Sequence, residues 1–331
     1  MTQGGFELDV VALGELLIDF APVSTNAAGY PTLAAQPGGA PGNFLAALQT
    51  YGCTTALIGK VGADRFGDLL RATLAGKGIE TRGILADPAV FTTLAFVTLD
   101  ATGNRAFSFA RKPGADTCLR ADEVDLTLID EARVFHFGSL SLTDEPARAA
   151  TQKAVAYAKE KGRLISFDPN LRRPLWPSET AAKEQIEWGL HQADIVKISD
   201  EEIAFLWGLS PEEGAQKLLK EYGVQLVYAT LGPRGCRFAN RQGSGEVASP
   251  AGIRVADTTG AGDIFGGSAM SRLLRTGKAP DELSPEELRA ITRFACCAAS
   301  LSTQTHGGID SVPEERLVHD MLRTRFPFEP M

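Results

Sequence analysis

The order of strands and helices along the chain predicts an α/β fold: a doubly wound, mostly parallel sheet flanked by helices, with a small second β-sheet. Through most of the sequence, short apolar segments typical of strands alternate with segments of helical spacing, beginning with residues 8–14, 44–51 and 55–59. Strands that are separated by helices pair in parallel, and the helices cover the faces of the sheet. Between residues 89 and 110 this alternation stops. Two strands there flank a short turn without a helix, which predicts an antiparallel hairpin.

The N-terminal part of the chain is expected to build a lid as well as the first strands of the sheet. The first strand ends at a glycine, and Asp19 follows shortly after it. Residues 21–36 are rich in Pro, Gly, Ala and Asn, which is typical of an excursion from a core. We therefore expect one domain over residues 1–331, with a β lid formed by about residues 15–36 and 89–112.

The second half of the chain continues the alternation. Predicted strands cover residues 134–138, 163–168, 194–198 and 225–230, and predicted helices cover residues 146–161, 178–192, 200–206, 211–221 and 285–301. In doubly wound sheets, ligands collect at the carboxyl ends of the strands. The polar residues that fall at such ends are Asp19, Asp168, Ser199 and Thr230.

Composition and absent motifs exclude several functional classes. The net charge of −8 and the lack of a dense Lys/Arg block argue against a nucleic-acid binder. No apolar run has the length of a membrane span, the N-terminal residues lack a signal-peptide pattern, and the five cysteines are scattered, so we expect a cytoplasmic protein. No Walker A sequence, no Gly-x-Gly-x-x-Gly after the first strand and no His-Glu-x-x-His is present.

The most informative stretch is Asp257-Thr-Thr-Gly-Ala-Gly-Asp263, which leads directly into a segment of helical spacing. It would place the backbone amides of Gly260, Ala261 and Gly262 at a helix N-terminus, where an anion is favoured. A carboxylate beside an anion site needs a reason. In a phosphoryl-transfer centre, the amides hold the phosphate and Asp263 accepts a proton from a hydroxyl. The alternative is an N-cap aspartate after a glycine-rich turn.

Three further features could line a ligand site near the N-terminus. Gly38-Gly39-Ala-Pro-Gly-Asn43 places permissive backbone ahead of a helix, and Asn43 offers both a donor and an acceptor; the alternative is a plain N-cap loop. Asp19 could accept hydrogen bonds from a polyol or be an exposed turn residue. Arg111 follows the second hairpin strand and could reach a cleft, although most such arginines are surface residues.

Taken together, these motifs resemble the ribokinase/PfkB family of carbohydrate kinases over nearly the whole chain. The stretch from Gly38 to Asn43 resembles the family's N-terminal signature, and the stretch from Asp257 to Asp263 matches its C-terminal signature residue for residue. The resemblance implies a ribokinase-like fold and an ATP-dependent kinase. It makes Asp263 the base and the Gly260–Gly262 amides the anion hole. Asp19, Gly38, Gly39 and Asn43 would hold sugar hydroxyls.

The resemblance also implies the nucleotide and metal sites. Ser199 stands in place of a family asparagine, and Glu202 would organise Mg²⁺ through water. Thr230, Gly232 and Gly235 resemble the family's nucleotide-binding turn, for which a generic strand–turn–strand is the alternative. Cys296 stands where many relatives carry an asparagine near the nucleotide base. A monovalent cation, expected to be K⁺, would be held by Asp257, Thr259, Ser302, Thr305, Gly307 and Ser311.

Within the family, several stretches look most like bacterial fructokinases. Among them are residues 14–20, 136–142 and 196–202, and the segment Phe167-Asp168-Pro-Asn-Leu-Arg172. Asp168 and Arg172 are therefore expected at the sugar. The same stretches are partly shared with 2-keto-3-deoxygluconate kinases, whose acidic substrate would need a cation such as Arg111 or Arg172. Fructose is the favoured substrate.

Other functions remain open from the sequence. A nucleoside-phosphorylating relative is one, and a sugar-binding regulator on the same scaffold is another, although a regulator has no need of a base at Asp263. The expected partners are a small sugar and ATP, with no nucleic acid and no membrane. Small lid sheets of this kind often pair edge to edge, so a homodimer through the lid is plausible.

Overall fold

The apolar segments form strands and the segments of helical spacing form helices, as their alternation predicts. The computed structural model describes residues 6–99 and 105–326, and all elements below lie within them. The strands are β1 Leu8–Leu13, β2 Leu17–Thr25, β3 Pro31–Gly38, β4 Thr55–Gly62, β5 Ile84–Asp87, β6 Thr93–Leu99, β7 Arg105–Ala110, β8 Ala132–Gly138, β9 Leu164–Asp168, β10 Ile195–Ser199, β11 Leu226–Thr230, β12 Cys236–Asn240 and β13 Gly243–Val247. The helices are α1 Ala40–Thr50, α2 Arg65–Gly76, α3 Leu126–Glu131, α4 Ala147–Glu160, α5 Glu179–Gln192, α6 Asp200–Trp207, α7 Pro211–Glu221, α8 Ala261–Thr276, α9 Pro285–Ser302 and α10 Glu315–Arg325.

A nine-stranded sheet forms the centre of the molecule, in the order β13-β12-β11-β10-β9-β8-β1-β4-β5. Strands β1, β4, β5 and β8 to β11 pair in parallel, because helices connect most of them and each crossover returns the chain to the same end of the sheet. Strands β12 and β13 pair antiparallel, since only a two-residue turn separates them. The predicted doubly wound, mostly parallel sheet is confirmed.

The core lies on both faces of this sheet because the strand side chains alternate in direction. In β1, Val11 and Leu13 pack into one buried apolar cluster, whereas Val10 and Ala12 pack into a second cluster on the opposite face. A strand that is buried on both faces reads as a continuous apolar run, which explains why residues 10–14, after Asp9, contain no polar side chain.

A second sheet of four strands, in the order β3-β2-β6-β7, is formed by the excursion and the hairpin. Strand β2 pairs antiparallel with β3 and parallel with β6, and β6 pairs antiparallel with β7. The small second sheet is as predicted. The predicted turn at residues 100–104 lies outside the described residues.

Some local predictions were wrong. Asp19 does not follow the end of a core strand but lies inside β2 of the small sheet, because the chain enters that sheet at Leu17, soon after the end of β1. The helix expected to begin at Phe44 begins at Ala40, since Pro41 is favourable in the first turn of a helix. Strand β5 and helix α3 were missed, because both are too short to show a period.

The described residues contain no helix that combines the length and the apolar character needed to cross a bilayer.

Candidate active site

The N-terminus of α8 carries the glycine-rich stretch, and its geometry is that of an anion site. Gly260 is the N-cap residue, with φ +76° and ψ −4°, a left-handed conformation that glycine adopts without strain. No side chain caps this helix, and Gly260 and Gly262 line the cleft in front of it, so this N-terminus can accept an anion there. The amide of Ala261 donates to the carbonyl of Thr258 at 3.3 Å. Of the three predicted amides, that of Ala261 is thus already engaged.

Asp263 lies in the first turn of α8 and is 7% exposed. Its Oδ2 accepts a hydrogen bond of 2.9 Å from Nδ2 of Asn43, and Nδ2 of Asn170 lies 3.5 Å from its Oδ1. Burial raises the pKa of Asp263, and the nearby charge of Lys197 opposes that rise. A carboxylate with a raised pKa, held in place by an amide, is suited to accept a proton.

Lys197 is a site residue that sequence reasoning missed. It lies in the middle of β10, and its Nζ is 3.0 Å from Oδ2 of Asp168. A Cβ added to Gly262 would lie 3.0 Å from the same Nζ, so the cation stands directly against the anion site. Burial raises the pKa of Asp168 and the Lys197 charge opposes the rise. The available signal was a lysine within the apolar run Ile195-Val-Lys-Ile, where a charge needs a buried partner.

A cleft of about 570 Å³ brings most of the predicted sugar and phosphate residues together. Its lining residues include Asp19, Gly39, Asn43, Arg172, Gly260, Gly262 and Asp263, together with Glu15, Phe109, Asn170 and Lys197. The lining therefore comes from both sheets, from the start of α1 and from the start of α8. Residues far apart in sequence meet because the carboxyl ends of parallel strands share one edge of the sheet.

The two glycines before α1 are required by close packing. A Cβ on Gly38 would lie 2.4 Å from Oδ2 of Asp19, so this glycine makes room for the Asp19 carboxylate. Gly39 has φ +115°, and a Cβ there would lie 2.4 Å from the carbonyl oxygen of Glu15. The side chain of Glu15 accepts a hydrogen bond of 3.0 Å from the amide of Ala40. Glu15 is a second site residue that the sequence did not reveal.

Asp19 and Glu15 are acids in low-dielectric surroundings. Burial raises the pKa of Asp19 to about 7, against the opposing charge of Arg172. Burial likewise raises the pKa of Glu15 to about 7, against the backbone hydrogen bonds that its carboxylate accepts.

A ring stack lies next to Asn43 in the first turns of α1. The ring of Phe44, the next residue, stacks on that of His136, with the ring centroids 3.8 Å apart. The Nδ1 atom of His136 is 3.0 Å from Oγ of Ser166, and burial lowers the pKa of His136 to about 3. A neutral imidazole fixed in this way supports the start of α1 without adding charge to the site.

Arg111 is not brought into the cleft. Its guanidinium is buried and forms an ion pair of 2.7 Å with Asp116, and it donates to Oγ1 of Thr143 and to the carbonyl of Leu140. It lines a separate cavity of about 320 Å³. Of the two arginines expected to reach the substrate, Arg172 lines the cleft and Arg111 is fixed by Asp116 five residues later.

Ser199 and Glu202 form a capping box at the start of α6. Oγ of Ser199 accepts from the amide of Glu202, and Oε2 of Glu202 accepts from the amide of Ser199 at 2.8 Å. Oε1 of Glu202 accepts from the amide of Leu171 at 2.7 Å. Each Glu202 oxygen thus holds a backbone amide, and a carboxylate oxygen keeps a further lone pair for a water molecule.

The residues of the predicted nucleotide turn lie at the end of β11. Thr230 is the last residue of that strand, and Gly232 and Gly235 have φ values of +57° and +118°. A Cβ on Gly235 would lie 2.0 Å from the carbonyl of Val247, so the turn needs a glycine there. Cys296, which we expected at the nucleotide, is only 3% exposed and belongs to an apolar cluster of the core.

Asp257 joins two segments of the predicted cation site. Its Oδ1 accepts from the amide of Thr259 at 2.7 Å, and its Oδ2 accepts from the amide of Gly307 at 3.2 Å. The hydroxyls of Ser302, Thr305 and Ser311 donate to carbonyl groups of their own segment, at Ala299, Ser302 and Gly308. Their oxygen lone pairs are then left for another ligand.

Comparison with known proteins decides the family. A model of the pfkB family of carbohydrate kinases matches residues 7–315. The chain belongs to this family. It is a phosphotransferase with an alcohol acceptor, as the sequence predicts.

Relatives of this pfkB kinase cover almost its whole length. Fructokinase-1 of Zea mays is 42% identical over 317 residues, which are 95% of this chain and 97% of that protein. Fructokinase-2 of Solanum lycopersicum is 40% identical, over 92% of this chain and 93% of its own. Among solved structures, fructokinase from Xylella fastidiosa with bound ATP superposes with a TM-score of 0.87, at 29% identity, over 96% of this chain and 99% of that one. Fructokinase from Vibrio cholerae O395 in its fructose, ADP and calcium bound form gives a TM-score of 0.84 at 30% identity, over 95% of this chain and 99% of that one.

Proposed function

We propose that this kinase transfers the γ-phosphate of ATP to the primary hydroxyl of D-fructose, which gives fructose 6-phosphate and ADP. One observation carries the proposal. A buried carboxylate, Asp263, lies in the same cleft as the uncapped N-terminus of α8 and the polar residues Asp19 and Asn43. The names of the similar proteins, which are fructokinases of plants and bacteria, support fructose as the acceptor.

In this mechanism Asp263 accepts the proton of the C6 hydroxyl as its oxygen attacks the γ-phosphorus. The new bond joins O6 to phosphorus, and the bond between phosphorus and the β,γ-bridging oxygen breaks, so that ADP leaves. The amides of Gly260 and Gly262, which line the cleft at the start of α8, stabilise the charge of the transferred phosphoryl group. Lys197, next to Gly262, adds a positive charge at the same place.

The residues that bind the sugar lie on the side of Asp263 opposite to the amides of α8. The carboxylate of Asp19 accepts hydrogen bonds from two neighbouring hydroxyl groups, and Gly38 and Gly39 allow the sugar to approach the backbone. The four-stranded sheet serves as the lid, because Phe109 of β7 and Leu17 of β2 both line the cleft. Its closure would exclude water, so that the phosphoryl group reaches the sugar and not a water molecule.

The metal ions of the reaction fit the residues present. Among residues 6–99 and 105–326, no group of three or more His, Cys, Asp or Glu side chains could hold a metal by itself. Mg²⁺ typically binds through phosphate oxygens and water with few carboxylates, and Glu202 would contact it through a water molecule. It would neutralise phosphate charge. The oxygen-rich group of Asp257, Thr259, Ser302, Thr305, Gly307 and Ser311 fits K⁺.

The alternative acidic substrate, 2-keto-3-deoxygluconate, is less well supported by this geometry. Its carboxylate would need a cation in the cleft, and Arg111 is already paired with Asp116. Arg172 and Lys197 remain, but the charge of Arg172 acts on Asp19 and Asp263, and Lys197 is paired with Asp168. A neutral sugar leaves that charge balance unchanged, which favours fructose.

A homodimer through the lid and a cytoplasmic location complete the proposal. Large apolar side chains are exposed on the β2–β3 hairpin, with Val23 at 59%, Tyr30 at 69% and Leu33 at 36% exposure. Such a surface is typical of an interface.

The cysteines support the cytoplasmic location. All five cysteines are free, which is usual in a reducing compartment.

The deciding experiment is ADP release by the purified protein with ATP and a panel of acceptors: fructose, 2-keto-3-deoxygluconate, ribose and adenosine. Each is measured with K⁺ and with Na⁺ at equal ionic strength, and Asp263→Asn is the control. We expect the highest kcat/KM with fructose and a phosphate on C6 by ³¹P and ¹³C NMR. A higher kcat/KM with the acid or with adenosine would overturn the choice of substrate.

A further inference from the structure

Asn170 has an unusual backbone conformation at the edge of the cleft. Among residues 6–99 and 105–326, it is the only non-glycine residue with a positive φ, at +44°. The left-handed region is unfavourable for residues with a Cβ, and asparagine tolerates it better than most. Glycine would adopt this conformation with no strain at all. The presence of a side chain here therefore points to a use for that side chain.

Two carboxylates hold the segment that carries Asn170. The amide of Asn170 donates to Oδ1 of Asp168 at 3.1 Å, and the amide of the next residue, Leu171, donates to Oε1 of Glu202 at 2.7 Å. Asp168 is itself fixed by Lys197. The left-handed turn is thus held by buried acids from β9 and α6.

The side chain of Asn170 is aimed at Asp263. Its Nδ2 lies 3.5 Å from Oδ1, the oxygen that does not accept from Asn43. The base is therefore flanked by one amide on each oxygen, a close one from α1 and a distant one from the segment after β9. Asn170 also lines the cleft, so it stands where a substrate hydroxyl would meet Oδ1.

We propose that Asn170 is a positioning residue for phosphoryl transfer, whose amide holds Oδ1 of Asp263 toward the primary hydroxyl of the sugar. This inference rests on the proposed function, in which Asp263 is the base. In the reaction the hydroxyl proton moves to the Asp263 carboxylate while O6 bonds to the γ-phosphorus and ADP leaves. A carboxylate oxygen has two lone pairs, so Oδ1 can accept from Asn170 and still accept from the hydroxyl. Hydrogen bonds of this kind often tighten only when substrate is bound.

The test uses a pair of variants that keep the backbone conformation. Asn170→Gly accepts φ of +44° without strain and removes only the amide, so we expect an unchanged Tm. We expect kcat with fructose to fall about 10- to 100-fold, with KM for ATP unchanged. The acid limb of the kcat–pH profile should move to higher pH, because a donor to the charged form of Asp263 is lost.

Asn170→Asp is the second variant, and it also tolerates a left-handed backbone. It places a carboxylate where the amide stood, so we expect kcat to fall further and the acid limb to move further up. The charged groups that already surround Asp263 are Lys197, Arg172 and Glu202, with Asp19 and Asp168 beyond them, and none of them is changed by either variant.

The outcomes separate the two proposals. If Asn170→Gly keeps the kcat and pH profile of the wild type while Asp263→Asn is inactive, the role of Asn170 is refuted and the proposed function stands. A higher KM for fructose with unchanged kcat would also refute it, because Asn170 would then only bind sugar. If Asp263→Asn retains wild-type turnover, the proposed function itself fails. If the Tm of Asn170→Gly falls, the kcat–pH profile of Asn170→Asp decides: an acid limb at the wild-type pH refutes the role of Asn170.

Discussion

The amide of Asn43 donates to Asp263 over 2.9 Å, although the two residues are 220 positions apart in the sequence. This bond joins the start of α1 to the start of α8 and restricts the orientation of the Asp263 carboxylate. If Asp263 is the base, replacing it with Asn, which has the same shape, should lower kcat about 10²- to 10⁴-fold and leave the fold intact.

Coupled ADP release and a thermal melt check this prediction together. A variant with wild-type turnover and an unchanged Tm would contradict the role of Asp263. Asn43→Ala is a useful companion, because it removes the 2.9 Å bond but leaves the carboxylate; its kcat should lie between those of the wild type and Asp263→Asn.

Lys197 should affect both the rate and its pH dependence. Replacing it with Met removes the positive charge beside Gly262 and Asp263, so kcat should fall about 10²-fold, as when one preorganised donor is lost. Lys197 opposes the rise in the pKa of Asp263 that burial causes. Without it that pKa rises further, and the acid limb of the kcat–pH profile should move to higher pH.

The partner of Lys197 offers a control for its structural role. Lys197→Met leaves the buried Asp168 without its cation, which should lower the free energy of unfolding by about 3 kcal/mol. Adding Asp168→Asn to that variant should recover part of the stability but not the activity. Recovery of the full rate in the double variant would mean that Lys197 only stabilises the fold.

Asp19 should act mainly on sugar binding. In Asp19→Ala two hydrogen bonds to sugar hydroxyls are lost, and KM for fructose should rise about 10- to 100-fold with a smaller change in kcat. Since burial raises the pKa of Asp19 to about 7, the wild-type KM should also rise as the pH falls below 7 and the carboxylate becomes protonated. Initial rates from pH 5.5 to 8.5 measure this. A KM for fructose that changes neither in Asp19→Ala nor with pH would refute the role of Asp19 in sugar binding.

Position 39 should tolerate substitution of its glycine by alanine far less than an exposed helical position does. Gly39→Ala puts a Cβ at φ +115° and 2.4 Å from the carbonyl of Glu15, so we expect a loss of more than about 2 kcal/mol in the free energy of unfolding and a higher KM for fructose. Gly76→Ala, at the exposed end of α2 where a Cβ meets nothing within 4 Å, is the matched control and should keep both values. If urea unfolding gives the same change in the free energy of unfolding for Gly39→Ala and Gly76→Ala, the packing argument is wrong.

The lid hairpin should control the oligomeric state. Tyr30→Asp puts a charge in the exposed apolar surface of the hairpin, where Tyr30 is 69% exposed. If the dimer forms there, light scattering after size exclusion should show the wild type as a dimer and the variant as a monomer. Leu317→Asp, on α10 and 43% exposed, should remain dimeric. A wild type that is monomeric at micromolar concentration would refute the dimer.

The sequence predicted the sheet and its flanking helices well, because the strands are apolar runs. Most of the residues predicted for the sugar and the phosphate line one cleft, because the two glycine signatures have local causes. Those causes are the left-handed Gly260 and the tight space around Gly38 and Gly39. What it did not predict depends on partners that are distant in space. Arg111 was expected at the substrate, but Asp116, Thr143 and Leu140 hold it elsewhere. A free cation and a paired one look the same in a sequence.

Lys197 and Glu15 line the cleft but were not predicted to do so, because both were overlooked among apolar neighbours. Each lies within or just after a strand, and each needs a partner that a different element supplies: Asp168 of β9 for the lysine, and the amide of Ala40 for the acid. A charged residue in an apolar run is the signal that could have found them. The direction of each side chain, toward the cleft or toward solvent, depends on strand register, which the sequence does not specify.

The order of strands in the large sheet also matches the order in which a ribosome makes them. From β9 to β13, each new strand pairs with the strand synthesised just before it, so none of them has to wait for a later strand to find its partner. Asp263 is translated only after β13. The growing chain can therefore complete its large sheet before the carboxylate of Asp263 exists.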